Sequence, residues 1–203
     1  MKVAIIGGTG RAGREISAEL ARRGHQVTAI ARHPEQALAD PAVIAIKGDV
    51  NDPAALTEAI RGHDAVVSAV MFSDTDPASL VGAVRASGVP RYLVVGGAGS
   101  LEVAPGVRLI DTPEFPEAYK AEAGRGAAFL DYLRGVTDID WTFLSPSALF
   151  FVGERKGAFR LGTDQLLVDA DGNSSISYAD YAIALVDEIE TPQHSRTRFT
   201  AGY

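Results

Sequence analysis

Three glycines spaced three residues apart, Gly7, Gly10 and Gly13, stand between a short apolar run and an amphipathic stretch, and they limit what this chain can fold into. The run from Lys2 to Ile6 is rich in branched residues, as a strand buried on both faces should be. From Arg11 to Arg23, Ile16 and Leu20 share one helical face, Arg14, Glu15, Arg22 and Arg23 suit a wet one, and Gly24 ends the pattern. Glycine permits a tight strand-to-helix turn and close approach of a diphosphate, while the helix start offers unpaired N–H groups and a partial positive charge. The segment Gly7-Gly8-Thr9-Gly10-Arg11-Ala12-Gly13 therefore predicts dinucleotide binding, with a purely structural turn as the plainer alternative. A mononucleotide P-loop is disfavoured, because no Gly-Lys-Ser/Thr ending follows.

The same alternation continues. Strands are predicted at Gln26 to Ala31, Val43 to Ile46, Ala65 to Val70, Tyr92 to Val95, Asp140 to Leu144 and Arg198 to Thr200. Helices fit at Ala54 to Ile60 behind Pro53, from Asp76 or Pro77 to about Ala86, and from Glu117 to Arg134. Ser177 and Asp180 form a capping signal for a last helix whose Tyr181, Leu185, Val186 and Ile189 share a face. Gly96 to Pro116 reads as a long loop, and Ala158 to Leu161 with Leu166 to Val168 as an antiparallel pair. The expectation is an α/β chain with a Rossmann-like, doubly wound parallel sheet. Its 203 residues suit one domain, 1–203, in which residues from about 146–176 contribute a small C-terminal substrate lobe.

The end of the second strand decides which dinucleotide, since a carboxylate about 20 residues beyond the glycines would hold the adenosine ribose. Ala31-Arg32-His33 stands there instead, and Arg11 lies in the loop itself. Guanidinium forks suit a 2′-phosphate, so NADP(H) is preferred over NAD(H), with His33 as an assistant or a mere surface residue. An ordinary solvated cation is the alternative for either arginine. Asp49 and Val50, after the third strand, are placed to meet an adenine edge or to cap the next helix.

Composition excludes other chemistries. The net charge of −7 disfavours nucleic acid, and the absence of cysteine excludes disulfides, zinc-thiolate sites and thiol nucleophiles. The longest uncharged stretch, Trp141 to Gly153, is shorter than the roughly 18 residues a membrane helix needs. A cytoplasmic monomer or homodimer without membrane contact is expected. His25, His63 and His194 lie in turns or the tail without a carboxylate cluster, so no metal site is predicted. Asp138 and Asp140 read as a solvated turn rather than a glycosidase pair.

The glycine loop, together with Asp140-Trp141-Thr142-Phe143-Leu144-Ser145-Pro146, Gly153-Glu154-Arg155, Asp171-Gly172-Asn173-Ser174, Ile176-Ser177-Tyr178-Ala179-Asp180-Tyr181-Ala182 and Arg198-Phe199-Thr200, resembles the atypical short-chain dehydrogenase/reductase superfamily. Within it the chain is similar, over nearly its whole length, to compact bacterial proteins labelled NAD(P)H-flavin reductases. The resemblance implies cofactor contacts at the glycine loop, Arg32, Asp49 and the fourth-strand end, Ser68-Ala69-Val70. It also brings out a departure. Tyr119 and Lys120 are adjacent and Pro116 stands four residues before Lys120, so the Tyr-x-x-x-Lys proton donor of that superfamily is missing.

Hydride transfer to an electrophilic planar acceptor, a flavin or quinone bound as substrate, needs no such donor. The resemblance to biliverdin and flavin reductases of the same superfamily implies Ser100 as a polar contact near the nicotinamide; Lys120 on its ribose and the neighbouring Tyr119 complete the candidate catalytic residues, and each also reads as an ordinary loop or surface residue. Phe72, Phe115, Phe150 and Phe151 are candidates for an apolar platform, or for core. NmrA-like relatives keep the dinucleotide fold without catalysis, so a redox-sensing binder is the first alternative. A sugar-nucleotide epimerase or dehydratase is the second.

Overall fold

Strands that are apolar at every position need cover on both faces, and helices on the two sides of one sheet supply it. The computed structural model describes residues 1–203. β1 (Lys2–Ile6) leads through α1 (Arg11–Arg22) to β2 (Gln26–Ala31), followed by β3 (Val43–Lys47), α2 (Pro53–Ile60), β4 (Ala65–Ser68), α3 (Pro77–Ser87) and β5 (Arg91–Val95). Then come β6 (Glu102–Ala104), β7 (Val107–Arg108), α4 (Glu117–Arg134), β8 (Asp140–Pro146), β9 (Leu149–Phe151), β10 (Arg160–Gly162), β11 (Ser175–Ser177), α5 (Tyr178–Glu190) and β12 (Thr197–Gly202). The main sheet is ordered β3-β2-β1-β4-β5-β8-β12-β10, parallel throughout except for the last pair. It is a Rossmann-like, doubly wound α/β fold.

Alternate side chains divide each strand between two cores. Ala4, Ile6, Val66, Tyr92, Val94, Trp141 and Phe143 pack under Leu56, Ile60, Leu80, Val84, Phe129 and Leu133 of α2, α3 and α4. Val3, Ile5, Val67, Leu93, Leu144 and Phe199 face Ile16 and Leu20 of α1 and Tyr181, Leu185 and Ile189 of α5. Helix starts follow the cap residues: Asp52 accepts from the Ala55 amide, Asp76 from Ser79 and Ser177 from Asp180. The start of α1 is different. Gly10 stands at its cap without a side-chain hydrogen bond, and its first turn holds no acid.

Two buried carboxylates tie α1 and α5 to distant parts of the chain. Arg91 of β5 donates to Glu188 of α5 at 2.7 Å and to Thr142 of β8 at 2.5 Å, and Glu188 also accepts from the Gln193 and His194 amides. Glu19 of α1 accepts from Arg155 at 2.9 and 3.0 Å and from Arg23 at 2.9 Å, and also pairs with Arg22. Burial works to raise the Glu19 pKa, but hydrogen bonds from Arg155 and Arg23 and the charges of Arg155 and Arg22 outweigh it, leaving it below 4.5. A carboxylate with a depressed folded pKa adds stability above its unfolded pKa, and that stability is lost as pH falls through the folded value. Glu19→Gln is therefore expected to lose less stability than the parent between about pH 5 and pH 3, compared by urea midpoints; equal acid slopes would refute the role of Glu19.

The structure corrects two sequence expectations. Ala158 to Leu161 and Leu166 to Val168 do not pair with one another: β10 runs antiparallel to β12, with Leu161 opposite Ala201. Leu167 instead packs over Gly162 and Gly202, and Arg160 donates to the carbonyls of Val168 and Tyr203, so the second segment crosses the sheet edge. The stretch from Gly96 to Pro116 is not all loop, since β6 and β7 form a hairpin around Gly106, whose φ of 73° suits glycine. β4 ends at Ser68, two residues early, while β12 extends to Gly202.

Candidate functional site

The strand order reverses at β1, which pairs with β2 on one side and β4 on the other, so a crevice opens beyond the carboxyl ends of those strands. Gly7 makes the turn there with φ 83°, and a Cβ on it would stand 2.3 Å from the Ala69 carbonyl oxygen. A Cβ on Gly13 would stand 2.2 Å from the Gly7 oxygen, so this glycine lets α1 sit against the turn. Gly8 is pressed against Ala29 of β2. Gly10 is under no such pressure. Its φ is −69°, the nearest atom to a Cβ would be 3.3 Å away, and it faces the open crevice.

The amides of Thr9, Arg11, Ala12 and Gly13 have no acceptor within the chain. An uncapped helix start with free N–H groups, no acid in its first turn and a glycine where a side chain would intrude fits a diphosphate. The crevice has a volume of about 350 Å³, and Gly7, Thr9, Gly10, Arg32, His33, Asp49, Val50, Ala69 and Val70 line it. Gly8, Ala12 and Gly13 shape the turn from behind, and exposed Arg11 lies outside the lining. Ser68 lies beneath the crevice, its hydroxyl 2.9 Å from the Tyr92 hydroxyl, whose pKa burial pushes up despite that bond.

Arg32 is exposed and pairs with no carboxylate, whereas His33 lies 3.3 Å from Glu35 and Asp49 accepts from the Asn51 amide at 2.9 Å. Ile6, Ile30, Ala31, Gln36, Gly48, Asn51, Met71 and Asp74 complete the lining, and none of them was assigned a cofactor contact from the sequence. Ile6 and Ile30 were legible as strand ends beside the glycine turn. Gln36 and Asp74 come from short loop helices that carry no motif, and Met71 stands just before the second of them.

A second cavity, of about 720 Å³, opens beyond β5 and β8. Gly96 to Gly99 and Pro146 to Ala148 border it, and Phe72, Leu109, Phe115, Tyr119, Leu149, Phe150 and Tyr178 supply its apolar wall. Phe72 packs against Phe129 and Phe143 at centroid distances of 5.4 and 6.1 Å, and Phe150 lies 4.0 Å from Tyr178. Phe151 is outside the lining. Glu122 of α4 accepts from the amides of Phe72 at 2.7 Å and Ser73 at 2.8 Å. Because Met71 and Asp74 line the crevice and Phe72 lines the cavity, the segment held by Glu122 is a wall between the two spaces.

The three candidate catalytic residues are spread apart. Tyr119 lines the cavity and is 66% exposed, at its mouth. Lys120 pairs with Glu117 at 2.7 Å and lies outside the lining, while the Ser100 hydroxyl accepts from Arg198 at 3.0 Å, also outside it. Tyr181 is fully buried, donates to the Leu144 carbonyl at 2.7 Å and has its pKa pushed up by burial. No group of three or more His, Cys, Asp or Glu side chains is placed to hold a metal, and no helix is long and apolar enough to cross a membrane.

A doubly wound sheet that presents free helix amides to the crevice at its switch point defines a dinucleotide-binding α/β protein. Residues 7–192 match the NAD(P)H-binding family, and the chain belongs to it. The Bacillus subtilis protein YwnB is 43% identical over 98% of this chain and 97% of its own. Among solved structures, a Bacteroides thetaiotaomicron protein provisionally named an epimerase superposes with a TM-score of 0.94 at 41% identity, covering 100% of this chain and 96% of that one. A Streptococcus pneumoniae protein provisionally named an NADH-flavin reductase gives a TM-score of 0.87 at 37% identity, with 100% and 99% covered. The family resemblance read from the sequence is thereby borne out, and the fold is that of an NAD(P)H-binding oxidoreductase.

Proposed function

We propose that the protein is an NADPH-dependent reductase that delivers hydride to a planar acceptor such as a flavin or quinone. The observation that carries this reading is the shared wall at Met71 to Asp74, which sets an apolar cavity directly beside a crevice suited to a dinucleotide. A bound nicotinamide supplies a hydride, which with one solvent proton reduces the acceptor by two electrons and leaves the oxidised cofactor. The chain's own residues have an orienting task. The glycine-turn amides take the diphosphate, the aromatic wall excludes water, and Glu122 holds Phe72 at the boundary. Residues from about 146–176 act as the substrate-side lobe through Leu149, Phe150 and Ser174. Tyr119 is the candidate contact at the mouth; Lys120 reaches a nicotinamide ribose only by leaving Glu117, and Ser100 acts by bracing Arg198.

Preference for NADPH rests on Arg32, an exposed guanidinium without a partner at the adenosine end of the crevice. A charge-assisted bond to a 2′-phosphate contributes about 1.5 to 3 kcal/mol, roughly 10- to 150-fold in affinity. Arg32→Ala should weaken NADPH by about that factor and NADH by less than about threefold, read by calorimetric titration; comparable losses for both would refute the assignment. Oxidation of NADPH with quinones or flavins tests the activity itself. The missing Tyr-x-x-x-Lys also favours a second reading, a redox-sensing binder, for which tight NADPH binding without turnover of any acceptor is the expected outcome. An epimerase or dehydratase ranks below both, because it calls for the same absent tyrosine.

A further inference from the structure

We propose that the acceptor is an uncharged planar ring bearing carbonyl oxygens, and that the second cavity discriminates against anionic and phosphorylated forms of such rings. The inference rests on the reductase reading and concerns the same cavity. Among its lining residues Glu114 and Glu122 are acidic, and there is no lysine, arginine or histidine. Of the cations nearby, Lys120 is engaged with Glu117 at 2.7 Å and Arg108 with Asp111 at 2.8 Å, and the exposed Arg125 of α4 lies outside the lining.

Backbone charge follows the same division. The start of α1, in the crevice, is uncapped and free of acid. The start of α4, beside the cavity, also lacks a side-chain cap but carries Glu117 in its first turn, and that of α5 has the Ser177 cap and Asp180. An anion entering the cavity therefore meets no cationic side chain in the lining and at least one carboxylate, a repulsion that low-dielectric apolar walls strengthen. Hydroxyls follow a parallel pattern. Ser147 donates to the Ala201 carbonyl and Thr112 to that of Leu109, so both are satisfied within the chain. The phenols of Tyr119 and Tyr178 have no partner in the chain, and the Ser174 hydroxyl accepts from the Ala148 amide without donating, which leaves three donors for ring carbonyls amid aromatic surface.

The test uses the intact protein with saturating NADPH and two matched pairs: 2-methyl-1,4-naphthoquinone against its sulfonate, and riboflavin against its 5′-phosphate. The neutral member of each pair is expected to have a kcat/KM about tenfold higher at low ionic strength. In Glu114→Lys, an exposed rim position, that preference should fall at least about fivefold, and added salt should narrow it in the parent. Equal or better use of the anionic members, or an unchanged ratio in Glu114→Lys, would overturn the proposal. If no acceptor is turned over, the reductase reading fails by itself, and flavin fluorescence quenching by the NADPH-loaded protein still decides the inference. Tighter riboflavin binding supports it, whereas tighter or equal binding of the phosphate, or binding of neither, overturns it.

Discussion

Gly10→Val is expected to fold and melt much as the parent does while losing affinity for both NADPH and NADH by at least about a hundredfold. The backbone at Gly10, φ −69° and ψ 168°, is extended and open to any residue, and the closest atom to a new Cβ is 3.3 Å away. Valine is a poor helix cap but replaces no side-chain bond here, so the stability cost stays near 1 kcal/mol. Its methyl groups, however, occupy the mouth of the amide cradle formed by Thr9, Arg11, Ala12 and Gly13. Losing several charge-assisted bonds, each about 1.5 to 3 kcal/mol, exceeds the 2.7 kcal/mol that a hundredfold change represents. Gly13→Ala is the contrasting control: its Cβ would stand 2.2 Å from the Gly7 oxygen, so it should destabilise the fold itself. Calorimetry beside a thermal melt separates the two. Retained affinity in folded Gly10→Val would remove the diphosphate from this turn.

Glu188→Ala is expected to lower stability by about 3 kcal/mol, because it removes the buried counter-charge of Arg91 and leaves only the part-exposed Asp140 carboxylate, 3.2 Å away, to balance the guanidinium. The pair is 7% and 3% exposed, and Arg91 Nε already lacks a partner, so little water is at hand to take over. The Gln193 and His194 amides, which lead into β12, lose their acceptor as well. The double variant Arg91→Met, Glu188→Leu should recover part of that loss, since an apolar pair of similar volume carries no desolvation cost while the Gln193 and His194 amides stay without their acceptor. Urea unfolding gives both values. A loss below about 1 kcal/mol in the single variant would mean that the pair is solvated in solution.

The crevice was the more legible of the two spaces, because its recognition chemistry is local. Gly7, Gly10 and Gly13 lie within one turn, and Arg32 and Asp49 follow the next two strands at their carboxyl ends. A strand-turn-helix signal survives in one dimension. Roles within the triplet did not: the sequence assigns all three to the cofactor, while the structure divides them between turn geometry, helix packing and an open face. Ser68 illustrates the same limit. Its place at a strand end suggested the crevice, but strand alternation turns its hydroxyl toward Tyr92.

The second cavity was barely visible. Phe72, Phe115 and Phe150 are 43 and 35 residues apart in turn, and Glu122 reaches back 50 residues to the Phe72 amide. Nothing in local spacing marks such a meeting. The pairing of β10 with β12 escaped for the same reason, since two short strands separated by about 40 residues carry no turn signature between them.

Chain order, apolar periodicity and turn chemistry by themselves determined the alternation of strands and helices, the parallel sheet and the anion-seeking start of α1, because each is encoded within a few neighbouring residues. Only the tertiary structure decided which glycine faces outward, where the buried charges find partners, and how Met71 to Asp74 separates the crevice from the aromatic-walled cavity. Those outcomes depend on distances between residues remote in sequence, which are set when the helices close over the sheet.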